Sequence, residues 1–216
     1  MTFALKLLGP ALVAALALSA IAASLAQAQP GVFTSDGPVT LTGTETAGEN
    51  KFEMFGITVQ CPGSTFTGHK VATMPLALIP SGATEVTITP KFVNCKVGKN
   101  AGDVEMHGCD FELWGPSTTV TENTYTVMTD IVCPTGAEII VEGGLCKVHV
   151  PPQVGLAGLH LTNTPASDDI DLIGSITNIT AESCLGNHTE AAVFKADLTI
   201  KGDNASGANT GITITG

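Results

Sequence analysis

No arginine occurs anywhere in the 216-residue chain; its 9 basic residues are all lysine and stand against 20 acidic ones, for a formal net charge of −11. A nucleic-acid-binding surface needs clustered cations to displace counterions from phosphates, so that class is excluded at the outset. Aromatic residues are only 5% of the chain, with one Trp and one Tyr. Few rings are therefore present on which a sugar could stack. No G-x-S-x-G elbow is present, because Gly174-Ser175 lacks the flanking pattern. No H-E-x-x-H occurs either, and His188-Thr189-Glu190 is not one. Phosphate loops, dinucleotide fingerprints and C-x-x-C pairs are also missing, so the sequence carries no signature of nucleotide, zinc or iron–sulfur binding.

What is abundant points to strands. The chain is 44% hydrophobic, too apolar for a disordered polypeptide. Its 24 Gly and 29 Thr take the place of the Ala, Leu, Glu and Lys that a helical protein favours.

The N-terminus reads as an address. Lys6 is the only charge before Asp36, Leu7 to Ala26 is almost wholly apolar, and Ala26-Gln27-Ala28 supplies small residues where a signal peptidase cuts. This predicts a secretory signal over 1–28. The rival reading is a retained membrane anchor, since such a run could just span a bilayer. Gly9-Pro10 near its start and the A-x-A at its end favour cleavage. The first cysteine, Cys61, lies far beyond the site, which argues against lipid attachment there. The mature chain, 29–216, has 188 residues (216 − 28) and a net charge of −12 once Lys6 is removed. A chain of this size buries roughly 70% of its unfolded surface. One all-β domain is expected, with two packed halves as the alternative.

Six cysteines follow: Cys61, Cys95, Cys109, Cys133, Cys146 and Cys184. An even number in an exported chain reads as disulfides. Nearest-neighbour pairing gives Cys95–Cys109 and Cys133–Cys146, leaving Cys61–Cys184, among fifteen connectivities.

Period-two alternation recurs at Val39–Thr42, Val86–Thr89, Ile176–Thr180, Leu198–Lys201 and Ile212–Thr215, with one face apolar and the other mostly Thr. Gly, Pro, Asn and Asp punctuate these segments. Many short strands between turn signals read as a sandwich or barrel, and an antiparallel, sandwich-like all-β fold is the expectation. A weak pseudo-repeat, V-E-x-x-x-C-x-φ-x-φ with φ apolar, predicts hairpins near 104–113 and 138–150. The first would turn at His107-Gly108 and pair Val104 with Phe111. The second would turn at Gly143-Gly144 and pair Val141 with Cys146. An objection to Cys133–Cys146 follows. If Cys133 ends a strand that turns at Pro134–Gly136 and pairs with 139–142, the two cysteines lie on the order of 10–15 Å apart.

Certain residues give the chain a likeness. These are Thr34-Ser35-Asp36 before V-T-L-T-G-T, Val59-Gln60-Cys61, Pro90 to Cys95, His107-Gly108-Cys109, Asp130 to Pro134, Gln153, Cys184 and Ile200-Lys201-Gly202. In these it resembles a group of exported six-cysteine proteins, common in actinobacteria, to which no activity is assigned. The resemblance covers most of the mature chain. It implies a secreted all-β protein and brings no catalytic residues with it.

Chemistry-bearing residues are scattered. In the predicted register His149 faces Glu138, a candidate acid–base pair or an ordinary exposed cross-strand pair. The first hairpin would set Glu105 opposite Asp110 and Asp103 opposite Glu112. Like charges placed so repel, and Ca²⁺ would relieve them, which makes these four the candidate metal ligands. Ser167-Asp168-Asp169-Ile170-Asp171 is a second acidic cluster, with Asp169 and Asp171 reading as an exposed strand face. Asn178, Asn187 and Asn204 begin glycosylation sequons of the kind a Thr- and Ser-rich chain produces by chance. The functional expectation is a non-enzymatic structural or adhesive protein at the cell surface or in the medium. A carbohydrate- or Ca²⁺-binding module is the alternative, and a secreted hydrolase with a site assembled from distant residues is a third.

Overall fold

The structure is a computed structural model that describes residues 32–35, 39–46, 50–70, 86–118, 123–143, 146–182, 189–204, 206–208 and 210–215. The expected signal segment, Cys184 and Asn187 lie outside these residues. Alternating apolar and β-branched positions give strands throughout. In order they are β1 (Val32–Thr34), β2 (Val39–Glu45), β3 (Lys51–Met54), β4 (Ile57–Gln60), β5 (Thr65–Lys70), β6 (Val86–Lys91), β7 (Lys96–Val97) and β8 (Asn100–Glu105). They continue with β9 (Asp110–Thr118), β10 (Thr124–Val132), β11 (Ile139–Gly143), β12 (Cys146–Val150), β13 (Gln153–Thr164), β14 (Asp169–Glu182), β15 (Thr189–Asp203) and β16 (Thr213–Thr215). The described residues contain no helix, so none is long and apolar enough to cross a membrane.

All pairings are antiparallel, and they close. One ring of eight runs β2-β5-β6-β9-β10-β13-β14-β15 and back to β2. A second ring of eight runs β3-β4-β7-β8-β11-β12-β14-β15 and back to β3. The two rings share the long hairpin β14–β15. A register shift between Ile176 and Ile179, where Asn178 takes φ 61°, separates the part serving one ring from the part serving the other. Six other stretches cross between the rings through short breaks at 46–50, 61–64, 92–95, 106–109, 133–138 and 151–152. The expected layered, antiparallel, disulfide-bonded all-β body is what forms, with its sheet closed on itself. Closure gives each ring strand a neighbour on both sides and removes the exposed edges on which sheets aggregate.

The alternation read from the sequence decides the inside. In β2, Val39 and Leu41 are buried while Thr40, Thr42 and Thr44 are exposed. This is the reverse of a lipid-facing barrel, whose outer band is apolar. Phe194 packs against Phe52, Phe92 and Phe111 with centroids 4.8, 5.8 and 5.5 Å apart, and Phe66 joins through Phe92. These five of the eight Phe thus fill the interior. The short β1–β16 ribbon pairs Phe33 with Ile214 and buries both. Asn163 clamps its free side: Ile214 N–H donates to Asn163 Oδ1 at 2.8 Å, and Asn163 Nδ2 donates to Ile214 O at 2.6 Å.

Two sequence expectations need correction. No hairpin forms over 104–113. Cys109 N–H does donate to Met106 O at 2.8 Å, and His107 and Gly108 have φ of 47° and 80°. The arms then part, β8 pairing with β7 and β11, and β9 with β6 and β10. A tight local turn is indifferent to what its arms meet next, and each arm buries its apolar face in a different ring. The second hairpin exists two residues out of register, with Val141 opposite Val148 and Gly143 opposite Cys146. A slip of two keeps every side chain on its expected face, which is why the pattern could not detect it.

The disulfides are Cys61–Cys95 and Cys109–Cys133, with Cα atoms 3.9 and 4.0 Å apart. Nearest-neighbour pairing therefore fails. Each bridge sits one rung beyond a ladder: Gln60 faces Lys96 and Asp110 faces Val132, so the next opposed positions are 61 with 95 and 109 with 133. Cys95 instead has its carbonyl bonded to Gly102 N–H at 2.9 Å, seven residues short of Cys109. β10 pairs with β9 and β13, not with β11, so the meander assumed after Cys133 is also absent.

Candidate functional site

The expected Ca²⁺ ligands do not converge. Separation of β8 from β9 takes Asp103 and Glu105 away from Asp110 and Glu112. Asp103 lies opposite Glu142, and Glu112 opposite Asp130. Each like-charged pair has a counterweight. Lys147 forms an ion pair with Glu142, and its ammonium is held above the ordinary lysine value, first by that hydrogen bond and then by the charges of Glu142 and Glu105. Asp130 Oδ1 accepts the Gly155 N–H at 2.7 Å, and Asp110 Oδ1 accepts Thr89 Oγ1–H at 2.5 Å. Among the described residues, no group of three or more His, Cys, Asp or Glu is placed to hold a metal ion.

The acid–base pair is present and larger than expected. His149 Nδ1 lies 2.5 Å from Glu138 Oε1, reached diagonally because His149 is directly opposite Ile140. His107 Nε2 lies 3.2 Å from Glu105 Oε2, and its Nδ1 is 3.1 Å from the Glu138 carbonyl oxygen. Two histidines and two glutamates thus form one row across β8, the 106–109 and 133–138 breaks and β12. The second histidine was missed because a His-Gly turn reads as backbone punctuation. All four side chains are about 35–50% exposed. None of the four lines the cleft described next, and a catalytic constellation needs both a recess and a third group.

The second acidic cluster divides. Asp171 accepts hydrogen bonds from Thr164 and Thr199 at 3.2 and 2.8 Å. Asp169 is only 4% exposed, against the expectation of an outward face, and sits 3.9 Å from Lys201 Nζ. Asp168 lines a recess that no motif announced. This cleft of about 260 Å³ lies between the end ribbon and the loop before β16, lined by Thr34, Ser35, Asp168, Thr210, Gly211 and Thr213.

The described aromatic residues lie largely inside. Tyr125 is buried, the Phe cluster is internal, and Trp114 has its Nε1 enclosed without a hydrogen-bond partner. No protein-family model, curated protein or solved structure shows a match to this chain.

Proposed function

We infer that the protein is an exported, non-enzymatic structural or adhesive component of the cell surface or the extracellular medium. The observation that carries this reading is the pair of cross-strand bridges set at the breaks between two closed, apolar-filled rings. Such bridges persist in an oxidising compartment, and they brace the positions where the ladders are interrupted. The histidine–carboxylate row is part-exposed and lines no part of the cleft, as side chains that only meet solvent do.

The test is to incubate the purified protein with insoluble cell-wall material and with whole cells. A panel of chromogenic ester, glycoside, peptide and phosphate substrates is run in parallel. Retention on the pellet without turnover is expected. Turnover that follows the protein through gel filtration and disappears in His149→Ala or His107→Ala would replace this reading with the hydrolase one. Absence of retention on every surface would remove the adhesive role.

A further inference from the structure

We propose that the cleft beside the β1–β16 ribbon binds one neutral sugar residue through a pair of its vicinal hydroxyls. The argument begins with what lines it. Among the described lining residues, Thr34, Ser35 and Thr213 supply hydroxyls, Asp168 supplies a carboxylate, and Gly211 adds no side chain. A volume of about 260 Å³ lies just below the range that holds drug-sized ligands, which suits a single ring.

Charge selects the ligand. Behind Ser35, Lys70 is only 6% exposed and its Nζ donates to Ser35 Oγ at 3.1 Å. Among the described residues, Asp168 and Lys70 therefore bring one charge of each sign to the neighbourhood, and Asp169 next to Asp168 has Lys201 beside it. A cation would need more carboxylates, and an anion would meet Asp168. A neutral molecule with hydroxyl donors and acceptors matches the lining. Asp168, acceptor-only when ionised, takes two adjacent hydroxyl protons as readily as it takes a bidentate donor.

The frame is fixed before any ligand arrives. Thr34 Oγ1 and Thr213 Oγ1 are 2.8 Å apart, Ile212 N–H donates to Asp168 O at 2.8 Å, and Thr210 N–H donates to Gly202 O at 2.9 Å. Asp168 itself sits at φ 53°, and a Cβ on Gly211 would come 2.7 Å from Asp168 Cβ. With no aromatic wall to add stacking, affinity in the millimolar range follows.

This inference does not depend on the surface-component reading. A free hexose tests the cleft alone, whereas cell-wall retention tests the whole exterior. The experiment is an amide-resolved NMR titration of the purified protein with glucose, galactose, mannose and N-acetylglucosamine to about 100 mM, with glycerol and calcium chloride as controls. Saturable shifts at Ser35, Asp168, Thr210, Gly211 and Thr213 are expected with at least one hexose. Asp168→Asn, which keeps a residue tolerant of positive φ, and Ser35→Ala should each weaken binding about tenfold or more. Glu138→Gln should leave it unchanged. The proposal is overturned if no hexose gives saturable shifts there, if glycerol gives equal ones, or if calcium alone produces them.

Discussion

Removing the bridges one at a time tests whether they act as braces on the unfolded chain. Cys61–Cys95 spans a sequence separation of 34 and Cys109–Cys133 one of 24. In the loop-closure treatment, bridges of these spans stabilise the fold by about 3.8 and about 3.5 kcal/mol. The near-equality is the useful part, because the logarithm compresses the difference in span to about 0.3 kcal/mol. The double variants Cys61→Ala/Cys95→Ala and Cys109→Ala/Cys133→Ala should therefore lose similar stability. In a chain of this size that amounts to a fall of about 7–15 °C in Tm each. Chemical denaturation followed by circular dichroism gives both numbers, and the slope with denaturant should rise as the unfolded chain expands. A loss below about 1 kcal/mol in both variants would show that the bridges do not restrain the unfolded state. A difference above about 2 kcal/mol between them would show that native packing at the breaks, and not loop length, sets their worth.

Other consequences can be checked directly. Gly158→Ala places a Cβ 2.0 Å from Ser175 O at φ +121°, so it should cost about 2–4 kcal/mol in denaturation; a neutral effect would mean that β13 and β14 approach less closely. Peptide mapping without reduction should join Cys146 to Cys184. The other four cysteines are bridged, and the opposition of His149 and Glu182 sets side by side the strands leading to these two. Recovery of either as a free thiol refutes this. Lys147 should titrate above an ordinary lysine, so its contact with Glu142 is complete at neutral pH and is lost as pH rises through that raised value. Side-chain NMR should show Glu142→Gln bringing the titration back down, and an unchanged curve would refute the pairing.

Much of the strand content was legible because one physical rule governs it. Val39–Thr42 and Val86–Thr89 alternate since one face meets the core and the other meets water, and they lie in β2 and β6. What escaped was the choice of partner. His107-Gly108 closes a turn whichever strands flank it, and only the competition among all strands for neighbours sends β8 and β9 apart. The same blindness produced the acidic quartet at Asp103, Glu105, Asp110 and Glu112 and the nearest-neighbour bridges. The disulfides obey the rung-beyond-the-ladder rule, which needs the β4–β7 and β9–β10 pairings first. Five of the six cleft residues are Thr, Ser or Gly, types so common here that nothing marks them; the sixth, Asp168, fell inside an acidic cluster read as a solvated face.

Because β14 and β15 serve as walls for both rings, no cut in the covalent chain could yield two self-contained halves. A fragment ending after β13 would have neither circle complete, and either circle isolated would need pieces from nearly every part of the polypeptide. The molecule is therefore indivisible in the way a figure of eight is: opening the crossing opens both loops. Partial proteolysis should accordingly release no stable intermediate module, and shuffling one ring onto another scaffold would require carrying the common hairpin along with it.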